Sequence, residues 1–293
     1  MSRGFNWFAK VTMAVVFAAF GACSLQAASF TIVDGEGFES PDYTTTFNGT
    51  GQLDGQFASV NGGFGSIQWA KANGAGTTAV VSTLEAADGA QSVRVDKGDG
   101  PDAFWGIQQS GFPDPGFDYV CIEWDMLVEF SDGPTGGAGE EPFGPYFGVS
   151  AFDNETDKYR LGFLGVDSQT GDVLYSQTGN GFFTETGASV SFGDWHKFQL
   201  ILDHSTNTYS ATVNGTIVLN GEAFVDGLAD AFTDANISAI SAADIPYYVG
   251  LPGTAYFDNF NVFETDIVKP VPEPATFLLL ISAVGLAAGR RRS

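Results

Sequence analysis

Across residues 121–130 the side chains alternate. Ile122, Trp124, Met126, Val128 and Phe130 fall on one side of an extended backbone, and Cys121, Glu123, Asp125, Leu127 and Glu129 fall on the other. Successive Cβ atoms of a strand point to opposite faces, so this period of two marks a half-buried strand. The pattern returns at 195–203 (WHKFQLILD), where Phe198, Leu200 and Leu202 oppose Trp195, Lys197, Gln199 and Ile201. A turn at 204–208 leads into 209–215 (YSATVNG), whose closing Asn-Gly favours a tight hairpin because both residues tolerate positive φ; residues 217–220 return along it. Further strands are expected at 92–95, 146–152, 159–166 and 255–263. No apolar stripe has the length of a globular helix, and the 38 glycines suit turns better than helices. One short helix is expected within 226–243. The expected fold class is all-β, a two-sheet antiparallel jelly-roll sandwich over residues 29–265.

Residues 195–203, 209–215 and the closing 256–262 (YFDNFNV) together resemble concanavalin A-like lectin and glucanase domains, over most of 29–263. In such domains a closing Asp-Asn strand often pairs with the first strand. The resemblance therefore implies that 256–262 pairs within 30–39 (FTIVDGEGFE). Galactose-binding-like jelly rolls close on a similar strand and stay open as the alternative. Either fold is compatible with sugar binding, and neither decides function.

The ends read differently. Arg3 and Lys10 precede or flank a short apolar run at 11–20, and Ala27 and Ala28 offer a cleavage region, so residues 1–28 are expected to be a signal peptide. This implies secretion machinery and a signal peptidase as partners. After a linker at 266–271, residues 272–293 form a tripartite tail. It comprises Pro272, Glu273 and Pro274, an uncharged apolar stretch at 275–289, and Arg290, Arg291 and Arg292. As a helix that stretch is roughly 22 Å long, short of a hydrocarbon core of roughly 30 Å. Snorkelling arginines cover part of the shortfall, so the expected transmembrane helix is a marginal anchor. The arrangement resembles the PEP-CTERM sorting signal. That resemblance implies an exosortase-type processing enzyme, transient anchoring in the inner membrane and a final place at the cell surface or in the extracellular matrix.

Charge narrows the partners. Through Glu273 the chain carries all 35 acidic residues and, without the two ends, 7 basic ones, a net charge near −28. No basic patch is available to neutralise phosphates, which excludes nucleic acid. The same excess disfavours acidic polysaccharide unless a divalent cation bridges, and favours neutral polysaccharide or exopolysaccharide. Beyond the signal peptide Cys121 is the only cysteine, so no intrachain disulfide can form.

Glucanases of the resembled fold carry Glu-x-Asp-x-x-Glu on one strand, or the same motif one residue shorter. Glu123 and Asp125 match, but Glu129 stands six residues after Glu123. Retaining hydrolysis needs carboxyl groups about 5–5.5 Å apart, whereas six residues of unbulged strand separate them by about 20 Å. Lyase chemistry on this fold needs an Arg/Gln/His/Tyr constellation, and Arg94, Arg160, His196 and His204 stand in no such pattern. The expectation is therefore a noncatalytic carbohydrate-associated module. Trp195 is the first candidate to stack on a sugar, Glu123 and Asp125 are its polar neighbours, and Trp69 and Trp105 are possible rim residues. The alternatives are a structural matrix protein without a glycan pocket, and a glycoside hydrolase or polysaccharide lyase. No cofactor is required by the sequence; calcium is the one candidate, set against a calcium-free sandwich, either in the acidic turn at 96–102 or, by preference, between Glu39 and Asp258, where it would join the two ends of the body.

Overall fold

The computed structural model describes residues 29–60, 63–109, 111–131, 143–155, 158–242 and 249–266. The expected signal peptide at 1–28, the rest of the expected linker beyond residue 266 and the 272–293 tail with its expected 275–289 span lie outside them. Among the described residues no helix is long and apolar enough to cross a membrane.

Two antiparallel sheets stack face to face. The larger contains β1 (Ser29–Asp34), β2 (Phe57–Val60), β3 (Gly63–Gln68), β5 (Thr78–Ser82), β6 (Ser92–Lys97), β8 (Tyr119–Val128), β13 (Trp195–Asp203), β14 (Thr208–Val213), β15 (Thr216–Ala223) and β17 (Gly253–Thr265). Its order is β15-β14-β13-β8-β17-β1-β2-β3, with β6 against β17 and β5 outside β6. The smaller contains β4 (Ala70–Asn73), β7 (Ala103–Gly106), β9 (Tyr146–Asp153), β10 (Tyr159–Asp167), β11 (Asp172–Ser176), β12 (Phe183–Ser189) and β16 (Asp234–Ile240), in the order β12-β11-β10-β9-β16-β7-β4.

The expected pairing of the closing strand with the first strand is present: residues 261–265 of β17 run along β1, and residues 253–257 run along β6 on the same edge. Along its other edge β17 meets β8, with one extra residue between Asp258 and Asn261, where Asn259 adopts φ 49°. This bulge re-aims Asp258. The Asn214-Gly215 hairpin also forms as expected, both residues having positive φ (51° and 76°).

The expected core stripes face the space between the sheets. Ile122, Trp124, Met126 and Val128 of β8 and Phe198, Leu200 and Leu202 of β13 pack toward Phe147, Val149 and Ala151 of β9 and Leu161, Leu164 and Val166 of β10. Trp124 stacks on Phe198 with ring centroids 5.6 Å apart. Phe130 departs from the expected stripe: β8 ends at Val128, and Phe130 is exposed against Phe192. The helix expected within 226–243 is β16 instead. Its sequence, DANISAI, alternates polar and apolar residues, and pairing on both edges to β7 and β9 overrides any helical tendency.

Candidate functional site

Glu123, Asp125 and Trp195 share the outer face of the larger sheet. The β8–β13 register sets Trp195 against Leu127, Lys197 against Asp125 and Gln199 against Glu123, with no shift along the strand. The carboxylates there have partners. Glu123 accepts a hydrogen bond from Gln199 Nε2 at 2.9 Å and pairs with Lys197 Nζ at 3.4 Å. Asp125 accepts from Asn259 Nδ2 at 2.7 Å. Glu129 lies just past the end of unbulged β8, so it stays a long way from Glu123. Trp69 and Trp105 are not rim residues. Both are buried in the core, where Trp69 donates its indole N–H to Tyr43 Oη at 3.0 Å.

The acidic turn at 96–102 does not curl its aspartates around a cation. The Lys97 ammonium fills it, donating to the carbonyls of Gly98, Gly100 and Val249 at 2.9, 2.6 and 3.0 Å, while Asp96 pairs with Arg94 and Asp102 accepts from the Ser241 N–H. Glu39 and Asp258 do reach a common place, the 87–91 loop. Asp258 Oδ2 accepts from the N–H groups of Ala87 and Asp88 at 2.8 and 3.2 Å, and Glu39 Oε1 from those of Ala90 and Gln91 at 2.7 and 2.8 Å. Burial pushes the Asp258 carboxyl up to about 6, with those N–H donors opposing. Among the described residues no three His, Cys, Asp or Glu side chains gather as a metal site.

The smaller sheet has a different outer surface. Phe104, Tyr146, Phe152, Phe163, Leu174 and Ile240 form a second apolar cluster separate from the intersheet core, with Phe183 packed against it. Phe163 and Phe183 meet edge-on at 4.8 Å, Tyr146 and Phe183 at 5.3 Å, and Phe104 and Phe152 at 5.9 Å. Beside the rings run Ser150, Asn236, Ser238 and Asp234 from β9 and β16. Ser238 Oγ donates to Ser150 Oγ at 3.0 Å. Asp234 accepts from Asn154 Nδ2, Asn236 Nδ2 and Thr233 Oγ1; burial raises its carboxyl above the ordinary range against those donors. Gly148 and Gly165 face each other across β9 and β10, and the Phe163 ring lies where a Cβ on Gly165 would stand.

Two depressions open on this face. One, of about 710 Å³, is walled by Tyr146, Phe183, Leu174 and Glu185. The other, of about 410 Å³, is walled by Phe104, Phe152, Lys158, Arg160, Asp102 and Asp226, with the 179–181 turn at its edge. Arg160 stands between them, its guanidinium 5.7 Å from the Phe152 ring and 5.5 Å from the Phe183 ring. Lys158 Nζ lies over Phe104 and Phe152 at 4.8 and 4.5 Å. Sequence reasoning missed this face. Two signals were available: the nearly continuous apolar runs of β9 and β10, which mark strands buried on both faces, and the alternation in β16.

Comparison with known proteins bears on the tail. The PEP-CTERM protein-sorting motif matches residues 270–293. The chain carries a PEP-CTERM sorting motif. The PEP-CTERM match takes in Pro272, Glu273, Pro274 and the three terminal arginines, and it points to an exported, cell-surface fate and an exosortase-type system. No curated protein matches the chain by sequence. Solved structures similar to this chain include the cellulose induced protein Cip1 (15% identity, 66% of this chain and 90% of that one, TM-score 0.48). They also include an endo-beta-1,4-glucuronan lyase from the fungus Trichoderma reesei (12%, 67% and 89%, 0.45). A sialidase is similar too (10%, 70% of this chain, 0.47), of whose length the chain spans 20%. Likeness at this level says nothing about substrate.

Proposed function

We propose that this is an exported, noncatalytic carbohydrate-associated module of the cell surface or extracellular matrix, holding saccharide in the groove of the smaller sheet. One observation carries the reading: an aromatic cluster lies on the outside of a sheet, beside polar side chains and two cations. The half-buried Phe183 ring, backed by the buried rings beneath it, offers an apolar face to sugar C–H groups, and Thr184, Glu185 and Lys158 on the walls of the two depressions reach the hydroxyls. The test is a glycan array with the secreted protein, Phe183→Ala and Trp195→Ala. Loss of binding in Phe183→Ala alone supports the groove. Loss in Trp195→Ala alone returns the site to the Glu123 face, and a blank array favours a structural matrix protein.

A catalytic use of the same groove is the second reading, favoured by the buried Asp234 with its raised proton affinity and Lys158 nearby. Release of new reducing ends or unsaturated sugars by the wild type, lost in Asp234→Asn, would establish it.

Delivery rests on the tail. Replacing Pro272, Glu273 and Pro274 together with alanine is expected to leave signal-peptide-dependent export intact and to block carboxyl-terminal maturation, read by intact mass of membrane and extracellular fractions. The Glu39/Asp258 clasp is the proposed calcium site. Asp258 Oδ1, which accepts the Asn259 N–H, and Asn259 Oδ1 lie on the same side of Gly37 as Glu39 Cγ, so two side-chain oxygens and a neighbouring carboxylate are at hand for a hard divalent cation.

A further inference from the structure

The second depression is unequal in its hydrogen bonding. Its acceptors are engaged: Asp226 Oδ2 accepts from the Arg160 backbone N–H at 2.6 Å, Asp102 Oδ1 from the Ser241 N–H at 2.8 Å, and Asp234 below it from three donors. Its donors are not. Arg160 gives one long bond from Nη1 to Ser176 Oγ at 3.3 Å, and its buried Nε has no partner. The Lys158 ammonium rests on two rings, and among the described residues neither cation forms an ion pair. A guanidinium and an ammonium together present eight N–H donors, and charge-assisted bonds to a carboxylate are the strongest use of them.

Resting on the saccharide reading of the groove, we infer that the Lys158–Arg160 end takes the carboxylate of a hexuronate unit. The neighbouring Tyr146–Phe183 end takes the C–H face of the adjoining sugar. The net charge near −28 argues the other way for the molecule as a whole, and the sequence by itself favours neutral glycans. Distance decides between the two. At physiological salt, charges beyond about 8 Å are largely screened. Within the depression Asp102 and Asp226 stand against Lys158 and Arg160, so the lining is balanced in charge, with both carboxylates already accepting backbone N–H groups and the cations keeping donors for a ligand. Two of the seven cations outside the ends stand on this one face, and both keep donors free.

The test is an array of uronate oligosaccharides, each printed beside its carboxyl-reduced counterpart of the same linkage and length, together with sulfated neutral oligosaccharides. It is probed with the secreted protein and with Lys158→Met, which keeps the apolar stem over Phe104 and Phe152 but removes the charge. The expected result is a preference of about tenfold or more for the carboxylated member of a pair, consistent with charged hydrogen bonds. Lys158→Met should lose that preference without changed affinity for the reduced member. Equal binding to both members, a preference that survives Lys158→Met, or a preference for sulfated sugars would overturn the carboxylate assignment while leaving the groove as a saccharide site. Binding to none of the three sets would overturn the saccharide reading, and the carboxylate assignment with it.

Discussion

The outer faces of the two sheets start from similar strands and differ in what their polar residues meet. On the larger sheet, Lys197 and Gln199 stand across from Asp125 and Glu123 at strand register; Glu123 takes the Lys197 ion pair and the Gln199 hydrogen bond, and Asp125 accepts from Asn259 at the β17 bulge. On the smaller sheet, Lys158 and Arg160 lie against aromatic rings and form no ion pair among the described residues, although Asp102 and Asp226 wall the same depression, and the 179–181 turn and the Val225–Asp226 segment stand beside them. A face whose carboxylates already have hydrogen-bond partners has less left to offer a ligand. A walled face with donors to spare has more, and this difference moved the candidate site from Glu123 to Arg160.

The largest expected effect tests whether the smaller sheet's outer face is built like a core. Phe163 is fully buried there, so Phe163→Ala should lower unfolding free energy by about 3–5 kcal/mol in urea titrations, as for a core phenylalanine. Trp195→Ala, on the half-buried face, should cost clearly less. Equal costs would erase the contrast.

The next effect concerns pH. Burial pushes both Asp167 and Asp258 up to about 6 from an ordinary 3.8. A carboxyl whose folded value lies above its unfolded one contributes stability that is fully present below the unfolded value and lost as pH rises through the folded one. In EDTA, stability should therefore increase as pH falls from about 7 toward 4, by up to about 3 kcal/mol for each group. Relief of the general acidic repulsion acts in the same direction. Asp258→Asn should flatten the trend, and an unchanged slope would remove Asp258 as its source.

Calcium should act at that same residue. Millimolar calcium against EDTA at neutral pH and matched ionic strength is expected to raise the melting temperature by several degrees through binding linkage, and Asp258→Ala should lose most of that rise. Superimposable melts would leave the backbone hydrogen bonds as the only clasp between Glu39, Asp258 and the 87–91 loop.

The smallest effect belongs to the paired face. Glu123→Gln removes an ion pair whose lysine side chain is 61% exposed, so it should change stability by about 1 kcal/mol or less and leave glycan binding as in the wild type. A loss of glycan binding would restore the Glu123 face as the site.

Local pattern alone carried the all-β class, the β8 and β13 core stripes, the Asn214-Gly215 hairpin and the sorting tail. Each rests on neighbours in sequence: a period of two, a dipeptide that tolerates positive φ, or an ordered run of residue types. Pairing of the closing strand with the first was reached through family resemblance and is present in the fold. Tertiary structure alone decided which outer face is walled, that Lys97 fills the acidic turn, that Trp69 and Trp105 are core, and that 234–240 is a central strand. The reason is that a side chain's partner across a sheet depends on register and on which loops fold back over it. Residues 160, 183 and 226 are far apart along the chain, and nothing local to any of them says that they line one groove.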